Sequence, residues 1–201
     1  MKWIITISAI LLFALAGCGK DKQSTNELIT VDVTKNYPEK ELILQDFMDV
    51  EYIPLETNDE FVTQGKVMAI GAEVILITNW ANDGNLFVFD RKTGKALKKI
   101  NRKGQGGEEY VGITEVVLDE ANKEIFVIAY TGSKISVYDL DGNFKRSFKA
   151  AGTESHVNTF NYDRENLISY VPDNSLENPS NAIPPYYLIF SKQDGSITRK
   201  I

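Results

Sequence analysis

Cys18 and His156 each occur once in a chain of 201 residues, and both side chain types can do chemistry. A disulfide needs a second thiol and a sulfur-rich metal centre needs several, so Cys18 builds neither with this sequence alone. His156 has the intrinsic pKa of a general base, yet no nucleophile and no orienting carboxylate stand at a recognisable spacing from it. A single imidazole also supplies one ligand where a transition-metal site needs three or four. The 28 Asp and Glu match no paired-carboxylate motif. The reading is therefore of a protein with no catalytic constellation, no metal centre and no cofactor, in which Cys18 serves another purpose.

Its neighbours indicate which. Met1 and Lys2 carry the positive start, residues 3–16 are a mostly apolar run, and Leu15-Ala16-Gly17 place small side chains before the cysteine. That pattern is a secretory signal, too short to cross a membrane, where about 20 apolar residues are needed. LAGC resembles the lipobox of bacterial lipoproteins. The resemblance implies cleavage of residues 1–17 and a diacylglyceryl group on the Cys18 sulfur, usually with an acylated amine beside it. Burial of a chain is worth ~0.8 kcal/mol per methylene, so one chain holds a protein marginally and two or three hold it stably. Residues 18–28, the lipidated cysteine and the polar run after it, form a flexible tether. Lys20-Asp21-Lys22 is similar to the short charged signal that sends some Gram-negative lipoproteins to the cell surface, with Lys22 in place of its second acid. The expected location is the outer membrane, anchored through Cys18, on either the periplasmic face or the cell surface.

The net charge is −6, and loss of Lys2 with the leader makes it −7. An acidic chain with no basic stripe excludes nucleic acid as a partner. With 43% hydrophobic residues and no composition break, residues 29–201 supply one core.

Short β-type runs separated by turn residues fill that stretch, and no helical period persists over ten positions. LFVFD ending at Asp90, ISVYD ending at Asp139 and YLIFS ending at Ser191 recur about 50 residues apart, each followed by a turn with Gly94, Gly142 or Gly195. Units of this length with four strands each are propeller blades. The first parses as strands 67–70, 74–79, 86–90 and 96–100. The second parses as 113–119, 124–130, 135–139 and 144–149, and the third as 157–163, 166–171, 186–191 and 196–201. The fold class is all-β, about three four-stranded blades of a partial propeller, with a strand at 50–55 placed where a ring propeller completes its last blade.

VEYIPLET at 50–57, RKGQGGEEY at 102–110, the lipobox and the blade pattern together resemble the six-bladed, NHL-like β-propeller lipoproteins of the Bacteroidetes type. The resemblance implies about six blades, of which three are counted here. It also implies little about activity, although related propellers include metal-dependent lyases and lactonases.

RKGQGGEEY is read as the joint between blades rather than as a phosphate cradle. A cradle opens a helix, whereas here two acids follow the glycines, and Glu108 or Glu109 is placed to tie down loop amides. In a four-stranded blade the connections from the second strand to the third, and from the fourth strand to the next blade, share one face. That face holds Trp80, Asn82, Asp83, Arg102, Tyr110, Tyr130, His156 and Tyr186, together with the proline-rich loop 172–185, expected to be mobile. Aromatic rings there suit sugar rings or peptide, with polar side chains beside them. The expected function is a binding module for a glycan, peptide or envelope protein. Enzyme and structural component of an envelope complex are the alternatives. Three blades leave two terminal sheets open, so self-association is expected if these residues stand alone.

Overall fold

The structure, a computed structural model, describes residues 31–129, 134–149, 157–172 and 184–201. The chain divides into Met1–Val50 and Glu51–Ile201. Within the first unit, residues 31–49 are exposed, and order is local: one 3-10 turn, Leu44–Asp46, and a turn in which Thr34 N–H donates to Asp32 Oδ1 at 3.0 Å.

Among the described residues, the second unit holds twelve strands in three antiparallel sheets. Blade 1 is β1 (Lys66–Ile70), β2 (Val74–Thr78), β3 (Asn85–Asp90) and β4 (Ala96–Asn101). Blade 2 is β5 (Ile113–Asp119), β6 (Glu124–Ala129), β7 (Lys134–Asp139) and β8 (Phe144–Lys149). Blade 3 is β9 (Val157–Asn161), β10 (Asn166–Val171), β11 (Tyr186–Ser191) and β12 (Ile197–Lys200). Each sheet runs in sequence order from first strand to fourth, and the first strands pack side by side, β1 with β5 and β5 with β9. The all-β, partial-propeller architecture expected from the repeat is the one observed, with strand ends within two residues of the parse.

Strand composition follows position in the blade. The β2 sequence VILIT and the β6 sequence EIFVIA are buried at every residue, because both faces of each strand are covered: by a neighbouring blade on either side of β6, and by blade 2 and the segment with Leu55 and Phe61 around β2. The outer strand β8, FKRSFK, alternates half-buried and exposed, since only one of its faces is covered. Register makes the blades superimposable by sequence. Val74 pairs with Asp90, Glu124 with Asp139 and Asn166 with Ser191, so these three second-strand starts are equivalent. One parity then points backward: Ile75 and Ile77 in blade 1, Ile125 and Val127 in blade 2, Leu167 and Ser169 in blade 3. The other parity points forward, so that Leu76 and Val88 of blade 1 meet Ile125 and Val127, while Phe126 and Val137 meet Leu167 and Phe190.

The hairpin between third and fourth strands repeats as well. Gly94, Gly142 and Gly195 have φ of +68°, +82° and +75°. At Gly142 a side chain would also stand 2.8 Å from Ile100 Cγ1 of the preceding blade, so this glycine satisfies both a turn and a close approach. Gly195 sits in the same way against Phe148 and Lys149, and Gly94 against Ile53 and Pro54. Residues 53–55 thus lie where the last strand of a preceding blade would lie. The expected strand at 50–55 is not formed: the segment joins no ladder, Pro54 has no N–H to give, and the chain is tied to blade 1 just after it, where Glu56 N–H donates to Gly94 O at 2.8 Å and Glu56 Oε2 accepts from Ala96 N–H at 3.1 Å. Its role is to cover. Leu55 and Phe61 close the backward face of blade 1 over Ile77, Phe87 and Phe89.

The two blade joints use different polar chemistry. Between blades 1 and 2 the Glu120 carboxylate accepts from the N–H groups of Ala72 and Glu73 at 2.7 and 2.8 Å, in space that only a glycine at position 71 leaves free. Between blades 2 and 3, Lys192 Nζ lies 2.5 Å from Asp119 Oδ2, both side chains almost fully buried, with Asp163 O as a further acceptor at 2.6 Å. Arg146 adds a bidentate pair with Glu124 and donates to Lys192 O.

Deleting one partner of the buried pair strands the other in a low dielectric, at a cost of ~3–5 kcal/mol. Lys192→Leu is expected to lose about that much in urea unfolding at pH 7. Adding Asp119→Gly, which copies Gly71 and Leu140 of the other joint, is expected to recover more than half. A double variant no more stable than Lys192→Leu would mean that the pair does not govern this joint.

Candidate functional site

The face singled out from the sequence is built on the Asn79–Gly84 connection and the joint at 102–110. Asp83 is its organiser. Asn79 Nδ2 and Asn85 Nδ2 donate to Asp83 Oδ2 at 2.7 and 2.6 Å, and Asn85 N–H donates to Oδ1 at 2.9 Å. Partial burial alone would raise this carboxyl, but the amide donors outweigh it and hold Asp83 below the usual carboxylate range. Asn82 adopts φ +48° and bridges blades, its Oδ1 accepting from Ile113 N–H at 2.9 Å and its carbonyl from Lys103 Nζ at 2.8 Å. Both residues are half-buried and their bonds shape the loop.

The glycine-rich joint has the opposite polarity to a phosphate site. Lys134 Nζ draws together the carbonyls of Gly106, Gly107 and Glu109 at 3.1, 2.8 and 2.7 Å, while Glu109 Oε2 accepts from Gly106 N–H at 2.8 Å. Of the two acids expected to tie down amides, Glu109 is the one that does so. Its carboxylate fills the space beside Gly104, which a side chain there would take.

The aromatic residues separate by burial. Tyr110 is 1% exposed and belongs to the core between blades 1 and 2, edge-on to Tyr138 with ring centroids 6.0 Å apart. Its hydroxyl donates to Gly84 O at 2.8 Å and accepts from Arg102 N–H at 3.1 Å. A ring so placed presents nothing to a ligand, because the joint that carries it turns inward to reach β5. Arg102 is exposed along its stem, yet its guanidinium is held on Gly142 O by Nε at 3.3 Å and Nη2 at 3.1 Å. Tyr186 is half-buried against the core between blades 2 and 3, with Lys200 Nζ 3.6 Å from its ring centroid. Trp80 stands apart at 70% exposed, with Lys66 Nζ 5.1 Å from its ring centroid. A solvent-facing indole with a cation beside it can stack on an apolar ring face while the ammonium takes a hydroxyl, carbonyl or carboxylate. Cys18, Tyr130 and His156 lie outside the described residues, as does most of the loop 172–185.

A second hollow lies on the opposite face, that of the hairpins, where no candidate residue was placed from the sequence. It is a cleft of about 540 Å3 bordered by Asn122, Glu124, Lys145, Arg164, Lys192 and Gln193, polar and without an aromatic residue. Aligning the three blades on the ends of their third strands, Asp90, Asp139 and Ser191, points to it, since that places Arg91, Leu140 and Lys192 at one position.

The family model described as 6-bladed beta-propeller matches residues 19–201. No curated protein matches the sequence. Among solved structures, a "Putative exported protein" from Bacteroides fragilis is similar over 81% of this chain and 44% of its own, at 19% identity and a TM-score of 0.58. The computationally designed Ika4 protein is similar over 77% of this chain and 80% of its own, at 16% identity and a TM-score of 0.44. The chain thus spans less than half the length of the Bacteroides fragilis protein.

Burial raises the Tyr110 phenol from 10.0 to about 12, the hydrogen bond from Arg102 opposing it only in part. A folded-state pKa above the unfolded one gives stability that is whole below pH 10 and lost as pH rises toward 12, at about 1.4 kcal/mol per pH unit. Tyr110→Phe, which orphans Gly84 O and Arg102 N–H, is expected to cost ~1–3 kcal/mol at pH 8. The gap between the two proteins should shrink between pH 10 and 12 in urea titrations. A constant gap would place ionisation of the phenol outside that window.

Proposed function

The chain belongs to the 6-bladed beta-propeller family, and from that footing we propose that it is an extracytoplasmic binding module, tethered by lipid at Cys18, that takes its ligand on the loop face around Trp80. The observation that carries the reading is the separation of aromatics on that face. Tyr110 and Tyr186 pack between blades, whereas Trp80 projects into solvent beside Lys66 on a loop locked by Asp83 and Asn82. An exposed indole on a flexible loop would lose much of its binding energy to ordering, and this loop is ordered in advance. An NHL-like lipoprotein of the outer membrane suits the leader, the LAGC motif and the polar tether. The similarity to a protein described as exported agrees with that location.

Glycan and peptide arrays probed with the purified protein test the binding reading. Trp80→Ala is expected to weaken the strongest signal at least about tenfold, which is ~1.4 kcal/mol, without lowering the unfolding midpoint, because the side chain is exposed. Array signals that Trp80→Ala leaves untouched would move the site off this face. Silence on both arrays together with co-purification of an envelope protein would favour the structural role.

The anchor is tested separately. Cys18→Ser is expected to move the protein from the detergent phase to the aqueous phase, since no described helix is long and apolar enough to cross a membrane. Unchanged partitioning would refute lipidation at Cys18.

A further inference from the structure

The cleft at the hairpin end between blades 2 and 3 is assembled from positions that recur in every blade. Val74, Glu124 and Asn166 start the second strands, opposite Asp90, Asp139 and Ser191. Ala96, Phe144 and Ile197 pair with Phe89, Tyr138 and Phe190, so Leu97, Lys145 and Thr198, one residue on, are equivalent in the fourth strands. In blade 1 these two positions hold Val74 and Leu97, an apolar couple whose leucine is 53% exposed. In blade 2 they hold Glu124 and Lys145, an ion pair at 2.5 Å. In blade 3 they hold Asn166 and Thr198, joined by a hydrogen bond of 2.8 Å. Two residues before the second strand the same alignment sets Ala72, Asn122 and Arg164 together. The blade fold does not require polar groups at these places, as blade 1 shows, yet both polar couples and Arg164 border one cleft. Its volume, about 540 Å3, lies within the range of about 300–1,000 Å3 that small-molecule sites occupy.

The buried charges of the cleft are already matched. Lys192 is paired with Asp119, and Glu124 receives both Nη1 and Nη2 of Arg146 at 2.8 Å. Glu124 therefore meets two cations with one charge, and Lys145, whose side chain is 40% exposed, can turn toward a further anion without stranding it. Arg164 is exposed, and its guanidinium makes no hydrogen bond or ion pair among the described residues. The backbone that carries it is held at three successive carbonyls. Asp163 O accepts from Lys192 Nζ at 2.6 Å, Arg164 O from Asn122 Nδ2 at 3.0 Å, and Glu165 O from Lys192 N–H at 2.9 Å. A cation on a hairpin fixed in this way costs less to order when it engages a ligand.

We propose that this cleft is a second binding site, independent of the loop face around Trp80, for a sugar-sized molecule that carries one anionic group, a carboxylate or a phosphate. Arg164 and Lys145 take the anion through charge-assisted hydrogen bonds. Gln193, exposed with its amide unpaired among the described residues, and Thr198, whose hydroxyl oxygen keeps lone pairs after donating to Asn166, serve the hydroxyl groups. The cleft has no aromatic lining on which a neutral sugar could stack, so the charge supplies the main attraction. Glu165, exposed on the rim, opposes the anion and limits its affinity.

Amide resonances of the full chain carrying Cys18→Ser, titrated in turn with glucuronate, glucose 6-phosphate, glucose and inorganic phosphate, test the site. At least one of the two charged sugars is expected to saturate with Kd at or below about 10 mM, moving the amides of Arg164, Glu165 and Gln193, and the tighter of the two identifies carboxylate or phosphate as the group read. Glucose and inorganic phosphate are each expected to bind at least about tenfold more weakly. Arg164→Gln, an exposed change that leaves folding intact, is expected to raise Kd at least about tenfold, and Glu165→Gln to lower it about twofold. Trp80→Ala is expected to leave the titration unchanged, which separates this site from the loop face. Absence of saturation by both charged sugars, equal binding of glucose or of inorganic phosphate, indifference to Arg164→Gln, or weakening by Glu165→Gln would each overturn the proposal.

Discussion

A twisted four-stranded sheet has two apolar faces, and no turn within it can cover either. Everything else in residues 51–201 answers to that. Middle strands such as VILIT and EIFVIA are apolar at consecutive positions because both of their faces are covered, and outer strands such as FKRSFK alternate because only one of theirs is. Gly142 and Gly195 let one blade press on the last strand of the blade before it, and Gly94 lets blade 1 press on Ile53 and Pro54. Even the irregular segment 53–61 is conscripted, with Leu55 and Phe61 lying over Phe87 and Phe89 where no preceding blade is described.

Packing of this kind is generous about sequence, since any aliphatic face suits any other. Specificity has to come from polar groups at the rims, and the two joints show two solutions. One is a carboxylate reaching back to bare hairpin amides, which needs a glycine to make room. The other is an ion pair, Asp119 with Lys192, removed from water and satisfied on all sides. Neither could be exchanged for the other by a single substitution, because each depends on residues from two blades.

The same logic sorts surface from core on the loop face. Connections that must carry the chain from one blade to the next bring their aromatics inward, as Tyr110 shows. A connection that only returns the chain within its own blade is free to project one, as Trp80 does. Glycines that could pass for an anion cradle are consumed in closing a joint, with three carbonyls drawn onto Lys134.

The local sequence determined the elements. Short β-type runs, turn glycines and a spacing near 50 residues place the twelve described strands within two residues, because strand and hairpin preferences act over a few positions. It also carries the proposed leader and the LAGC motif at Cys18, a reading that rests on residue types near the N-terminus and not on folding. What the sequence alone left open was which side chains face outward. Trp80 and Tyr110 look alike as aromatic residues flanked by polar ones, and only the direction of the joint separates them. Arg102 looks like a ligand contact until Gly142 of the next blade comes within reach of its guanidinium. The Lys192 pairing with Asp119, 73 positions away, has no local signature at all. Burial and pairing are properties of two sheets meeting, and a strand pattern specifies a sheet without specifying its neighbour.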